Sequence, residues 1–166
     1  TNSFGQNFNA TMIQMVTGFC SLINGGYYYE PHVVDKITNA NGATVENIEP
    51  RVLKQTVSES TSALIRQYCR AVVMEEGGAL RTGKTARPAG YAVGGKTGTA
   101  QTGAANNGVF ICYAPFDKPQ VAVAVVIEHA GAGASVAPIA KDVLDAYFNL
   151  AKSAESTSEN EKQVLK

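Results

Sequence analysis

The stretch Val121-Ala-Val-Ala-Val-Val-Ile127 is short, uncharged and β-branched, as strands that cross a protein core are. It is the last of three apolar stretches, around Val93 to Ala100, Val109 to Ala114 and Val121 to Ile127. Asn106-Asn107-Gly108 links the first two and Pro115-Phe116-Asp117-Lys118-Pro119 the second pair. Both links are short enough for antiparallel hairpins, which predicts a three-stranded meander. Ser135 then caps a closing helix with Pro138 in its first turn, and Ile139, Val143, Leu144, Tyr147 and Phe148 form the stripe that packs it back on the sheet. The class is α+β, a three-stranded antiparallel meander flanked by helices.

Two helices precede the meander. Thr11-Met12-Ile13-Gln14 is a capping box, and Ile13, Val16, Phe19, Cys20 and Ile23 recur at helical spacing until Gly25-Gly26 stops the element near Asn24. Tyr27-Tyr28-Tyr29 follows, read as core and strand packing rather than as an aromatic platform. Val33 to Ile37 and Ala43 to Val45, joined through Asn41-Gly42, predict a small hairpin at about 32 to 48. Ser58-Glu59-Ser60 opens the second helix, with Leu64, Ile65, Tyr68, Cys69, Val72 and Val73 on one face and Gly77-Gly78 at its end. After Leu150 the chain is polar and coreless, so residues 151–166 are expected to be a disordered tail.

A chain of 166 residues with 45% hydrophobic content supports one domain, or one piece of a domain. Fourteen basic and fourteen acidic residues cancel, without a block of either sign, so neither nucleic acid nor anionic lipid is indicated as a partner. No apolar run reaches the ~18 residues that span a bilayer, and the chain starts at Thr1 rather than Met, which reads as a piece of a longer polypeptide. Cys20, Cys69 and Cys112 fit no metal spacing; their odd number leaves at least one thiol unpaired, and buried, inert thiols are expected. His32 reads as a surface side chain and His129 as a loop or capping one.

Several motifs are decoys. The Walker A pattern occurs at Gly78 to Thr85 and again at Gly90 to Thr97, but the first follows a helix and runs into Pro88, and the second leads into a stretch that holds no helix. Glu128 after an apolar strand imitates a Walker B acid without other support. His129-Ala-Gly131-Ala-Gly133-Ala-Ser135 imitates a dinucleotide loop, yet Val136 stands where a third small residue belongs and no second βαβ half follows. Tight backbone turns account for those glycines.

Gly94-Gly95-Lys96-Thr97-Gly98-Thr99-Ala100-Gln101, on the first meander strand, carries the Lys-Thr-Gly element of serine enzymes that recognise β-lactams. In that chemistry the lysine supplies fixed positive charge beside the nucleophile, the hydroxyls bind the substrate carboxylate, glycine admits the acyl group, and a strand N–H faces the oxyanion. For the three letters alone, a solvated surface strand is the competing reading. Further segments are similar to class B penicillin-binding proteins: Ser3-Phe4-Gly5-Gln6, Thr11 to Met15, Leu22 to Gly26 with Pro31, Phe110 to Pro115, Val121 to Glu128, and Ala137 to Phe148. By these the chain resembles, over roughly residues 3 to 150, the C-terminal part of their transpeptidase domain, which gives residues 1–150 as a C-terminal portion of that domain with a partial penicillin-binding-protein and β-lactamase-like fold.

The resemblance implies a D,D-transpeptidase that cross-links peptidoglycan stem peptides, is inhibited by β-lactam antibiotics, uses no cofactor or metal, and sits on the extracytoplasmic face behind an N-terminal anchor. It implies a five-stranded sheet of which this chain supplies three strands. Lys96 would be the electropositive catalytic residue, and Thr97 and Thr99 would bind the carboxylate. The Thr99 N–H would form half of the oxyanion hole, with Gly98 and Gln101 lining the substrate site.

One departure matters. The family needs a Ser-x-x-Lys nucleophile and a Ser-x-Asn element, yet no lysine here has a serine three residues before it, and Ser158-Glu159-Asn160 lies in the polar tail. The chain alone is therefore expected to be inactive, with the N-terminal part of the same domain as its partner. The alternative is a non-catalytic peptide- or partner-binding module on the same fold. A serine β-lactamase shares the strand motif but not the helix resemblance.

Overall fold

The computed structural model describes residues 3, 5, 8–76, 81–103 and 105–164, from 150 onward as backbone. Two compact units divide the chain, one of residues 9–66 and one of residues 67–166 with residues 1–8.

In the first unit α1 (Met12–Ile23) opens as its sequence predicts. The Gln14 N–H donates to Thr11 Oγ1 at 3.3 Å and the Thr11 N–H donates to Gln14 Oε1 at 2.9 Å, so each residue satisfies an amide the helix itself leaves open. The expected hairpin is β2 (Lys36–Thr38) against β3 (Thr44–Asn47). Its turn is held by Asn39 Oδ1, which accepts from the N–H groups of Asn41 and Ala43. Around it lies a pair the sequence does not announce, β1 (Tyr27–Tyr29) antiparallel to β4 (Val52–Gln55). The tyrosine triplet is thus a strand. Ser58 Oγ accepts from the Thr61 N–H at 3.2 Å and starts α2 (Glu59–Met74), whose residues from Gln67 belong to the second unit. Gly77-Gly78, expected to end that helix, and Phe4 and Gln6 of the N-terminal segment lie outside the described residues.

The second unit is built on the meander. β5 (Gly94–Gln101), β6 (Asn106–Ala114) and β7 (Val121–Ile127) form an antiparallel sheet in the order β5-β6-β7. α3 runs from Gly133 to Val164. It begins two residues before Ser135, which lies inside the helix rather than capping it, and it runs through the polar stretch beyond Leu150 for which the sequence predicts no order. Ala151, Ala154, Glu155, Glu161, Lys162 and Gln163 in that stretch are all strong helix formers. The core lies between the sheet and α3: Phe110, Cys112 and Ala114 of β6 meet Val136, Ala137, Ala140 and Leu144, with Val73 of α2 and Val93. Each of these is at most 1% exposed. A 3₁₀ turn at Lys84–Ala86 joins them through the buried Ala86.

Beside the core, Tyr91 stacks obliquely on Phe148 with ring centroids 4.8 Å apart and donates its hydroxyl to Asp145 Oδ1 at 2.8 Å. Lys141 Nζ donates to the other carboxylate oxygen at 2.6 Å. The Lys141 ammonium, and after it the Tyr91 hydroxyl, hold the Asp145 carboxyl below its ordinary 3.8. A carboxyl depressed in the folded state stabilises the fold above its ordinary pKa, and that contribution is lost as pH falls through the lowered one. Unfolding by urea between about pH 2 and about pH 6 should show wild type more stable than Asp145→Asn near the top of that range, with the difference closing toward the bottom. A difference that stays constant with pH would mean the carboxylate charge is not what Tyr91 and Lys141 hold.

Candidate active site

The Lys-Thr-Gly segment occupies the middle of β5, and its cross-strand partners determine which way each side chain faces. Thr97 lies opposite Phe110 and Gly95 opposite Cys112, both at 0% exposure in the α3-side core. Lys96 lies opposite Ile111 and Gly98 opposite Val109. Alternation along a strand therefore puts Thr97, Thr99 and Gln101 on the face that carries α3, and Lys96, Gly98 and Ala100 on the other. The lysine and the threonines, expected to act together, share a strand but not a face. Among the described residues β5 pairs only with β6, so its outer edge carries the backbone groups from which both faces are reached.

Lys96 is exposed, and its Nζ donates to the carbonyl oxygen of Thr97 at 2.6 Å, which bends the ammonium back along the strand toward the threonines. The two hydroxyls are each met from outside β5. Thr97 Oγ1 lies 2.7 Å from Thr82 Oγ1, and Thr99 Oγ1 accepts from the Gly133 N–H, the first residue of α3, at 3.4 Å. The positive end of α3 thus lies against Thr99, adding to the Lys96 charge a potential that favours an anion. Gln101 ends the strand exposed, and among the described residues its side chain makes no bond to either hydroxyl.

Gly98 is open. Among the described residues a Cβ added there would meet only Val109, at 3.5 Å from its side chain and 4.0 Å from its carbonyl oxygen, which is ordinary contact. Among the described residues nothing therefore demands glycine at that position, in contrast to Gly133, whose added Cβ would land on the backbone of Gly98 and Val109.

Thr82 is the functional candidate that sequence reasoning missed. It stands in the stretch that matches a Walker A pattern, 15 residues before Thr97, and no spacing rule connects the two. The nearest available signal is Gly83 beside it, a residue that lets a loop pack flat where a side chain would not fit. The three cysteines are sheltered: Cys69 and Cys112 are buried and Cys20 is half-buried. Burial pushes all three thiols up, Cys112 to about 12, and the Lys96 charge offsets part of this at Cys69. Among the described residues no three His, Cys, Asp or Glu side chains gather as a metal site would require.

Comparison with known proteins agrees with this architecture. The model of the penicillin binding protein transpeptidase domain matches residues 1–145. Stage V sporulation protein D of Bacillus subtilis is 38% identical over 140 residues, which are 78% of this chain and 20% of that protein. The crystal structure of the D,D-transpeptidase domain of a peptidoglycan glycosyltransferase from Eggerthella lenta superposes with a TM-score of 0.74 at 34% identity, covering 86% of this chain and 33% of that one. The imipenem acyl-enzyme complex of penicillin-binding protein A from Mycobacterium tuberculosis superposes with a TM-score of 0.75 at 26% identity, covering 88% of this chain and 33% of that one. The fold is that of a penicillin-binding-protein transpeptidase domain. The chain belongs to the penicillin binding protein transpeptidase domain family, with class B penicillin-binding proteins as its relatives. It spans about a fifth to a quarter of the length of the curated relatives it matches.

Proposed function

We propose that this chain supplies the Lys-Thr-Gly wall of a peptidoglycan D,D-transpeptidase, with the Ser-x-x-Lys nucleophile on another segment of the same domain. The observation that carries this is the pair of hydroxyls on β5, Thr97 and Thr99, with the Lys96 ammonium and the α3 N-terminus supplying positive charge beside them. Such a row suits one carboxylate, the terminal group of a D-Ala-D-Ala stem peptide or of a penicillin. In the reaction the serine oxygen attacks the scissile carbonyl carbon, and the Thr99 N–H with the serine's own N–H stabilises the oxyanion. Collapse breaks the scissile C–N bond and expels D-Ala, whose amine takes the proton given up by the serine hydroxyl; an amine of a second stem peptide then attacks the ester, the ester C–O bond breaks, and the proton that amine loses returns to the serine oxygen. The open Gly98 leaves the strand surface clear where an acyl group passes.

The relatives' β-lactam complexes support β-lactams as ligands of the completed site. An extracytoplasmic location behind an N-terminal anchor goes with this function; no helix among the described residues is long and apolar enough to cross a membrane.

Intact mass after incubation with a labelled penicillin tests the proposal. This chain alone should show no adduct, and the polypeptide that joins it to its Ser-x-x-Lys segment should gain one drug per molecule. An adduct on the chain alone would mean that it holds its own nucleophile. A joined polypeptide that binds stem peptide without acylation would establish the same wall as a non-catalytic binding module.

A further inference from the structure

We propose that Thr82 is a positioning residue for carboxylate recognition, orienting the Thr97 hydroxyl so that its proton points at the anion; this rests on the transpeptidase reading above. A hydroxyl has one proton to give and two lone pairs with which to accept. A carboxylate only accepts, so a threonine that binds it must donate, and the threonine oxygen is left to accept from something else. At Thr99 that donor is fixed: the Gly133 N–H can only donate, so the Thr99 proton is free for the anion. At Thr97 the neighbour within reach is Thr82 Oγ1, at 2.7 Å. With an anion bound, the pair has one consistent arrangement, in which Thr82 donates to Thr97 and Thr97 donates to the carboxylate. The chain of two bonds in one direction polarises the second.

The loop holds Thr82 where this requires it. The Gly83 N–H donates to the Val72 carbonyl oxygen at 3.1 Å, and Gly83 itself is buried. A Cβ there would come within 3.1 Å of the Phe110 ring and 3.2 Å of Val72 and Val73, so the loop packs flat on the core. Phe110 is the cross-strand partner of Thr97. One ring thus sets both the height of the loop and the face of the strand, which brings the two hydroxyls together.

The test uses the joined transpeptidase domain and two β-lactams, a penicillin and its methyl ester, read as second-order acylation rates. Thr82→Val keeps shape and removes the hydroxyl. It should slow acylation by the free acid about tenfold, the scale of a hydrogen bond to a charged group. The ester, which carries no negative charge, should change less than about twofold. Thr82→Ser should restore the free-acid rate, and the melting temperature of all three should agree, which separates orientation from folding. Equal free-acid rates in wild type and Thr82→Val, or equal losses for acid and ester, would overturn the positioning role. A wild-type domain that neither drug acylates would overturn the transpeptidase reading itself, and this inference with it.

Discussion

Gly133→Ala is expected to cost this chain about 3 kcal/mol of unfolding free energy, the upper range for forcing atoms into a packed site. The added methyl would sit 2.7 Å from the Gly98 nitrogen and closer still to the carbonyl oxygens of Gly98 and Val109. All three are backbone atoms of paired strands, so no side chain can rotate away. Relief requires α3 to lift from the sheet, and the residues lifted first, Val136 and Ala137, are at most 1% exposed. The proper control is Gly131→Ala, because Gly131 has a φ of 80° but nothing within 4 Å of its added Cβ. That substitution should cost only the left-handed backbone penalty, about 1 to 2 kcal/mol. Urea unfolding of both variants measures the difference. If Gly133→Ala were no worse than Gly131→Ala, the close approach of α3 to the Lys-Thr-Gly strand would not be what holds the helix in place.

The glycines also show where sequence reading works and where it stops. Val121–Ile127 is β7 residue for residue, because β-branched alternation carries its own signal. Asn106-Asn107-Gly108, read as a turn, is instead the first part of β6, paired with Gln101, Ala100 and Thr99. Its glycine answers to a tertiary need: a Cβ on Gly108 would come within 2.9 Å of the Ala132 carbonyl oxygen, where the chain turns into α3. Asn107 likewise serves the fold at a distance, its Oδ1 accepting from the His129 N–H where that histidine adopts a φ of 59°. The pairing of β1 with β4 was hidden for a related reason, since its two strands are separated by a whole hairpin and neither alternates. Of the candidate site, Lys96, Thr97, Gly98 and Thr99 were legible as a motif because they are contiguous and their residue types name a chemistry. Thr82 and the Gly133 N–H were not, because each reaches the strand only through packing.

Lys96→Ala should lower the acylation rate of the joined domain by roughly 10²- to 10³-fold, the loss that follows removal of one preorganised electrostatic group from an acyl-transfer site. It should leave stability within about 0.5 kcal/mol, since Lys96 is exposed and among the described residues its ammonium bonds only to a neighbouring carbonyl. The two measurements together separate a charge placed for chemistry from one placed for folding. Lys96→Arg is the sharper variant. It keeps the charge but replaces a compact ammonium by a planar fork, which does not fit the single carbonyl that bends Lys96 toward the threonines. A partial recovery is therefore expected, more than alanine and less than wild type. Full recovery would show that only net positive potential matters, which the α3 N-terminus beside Thr99 also supplies. No loss in either variant would remove Lys96 from the site and leave the hydroxyls of Thr97 and Thr99 to hold the carboxylate with the helix end alone.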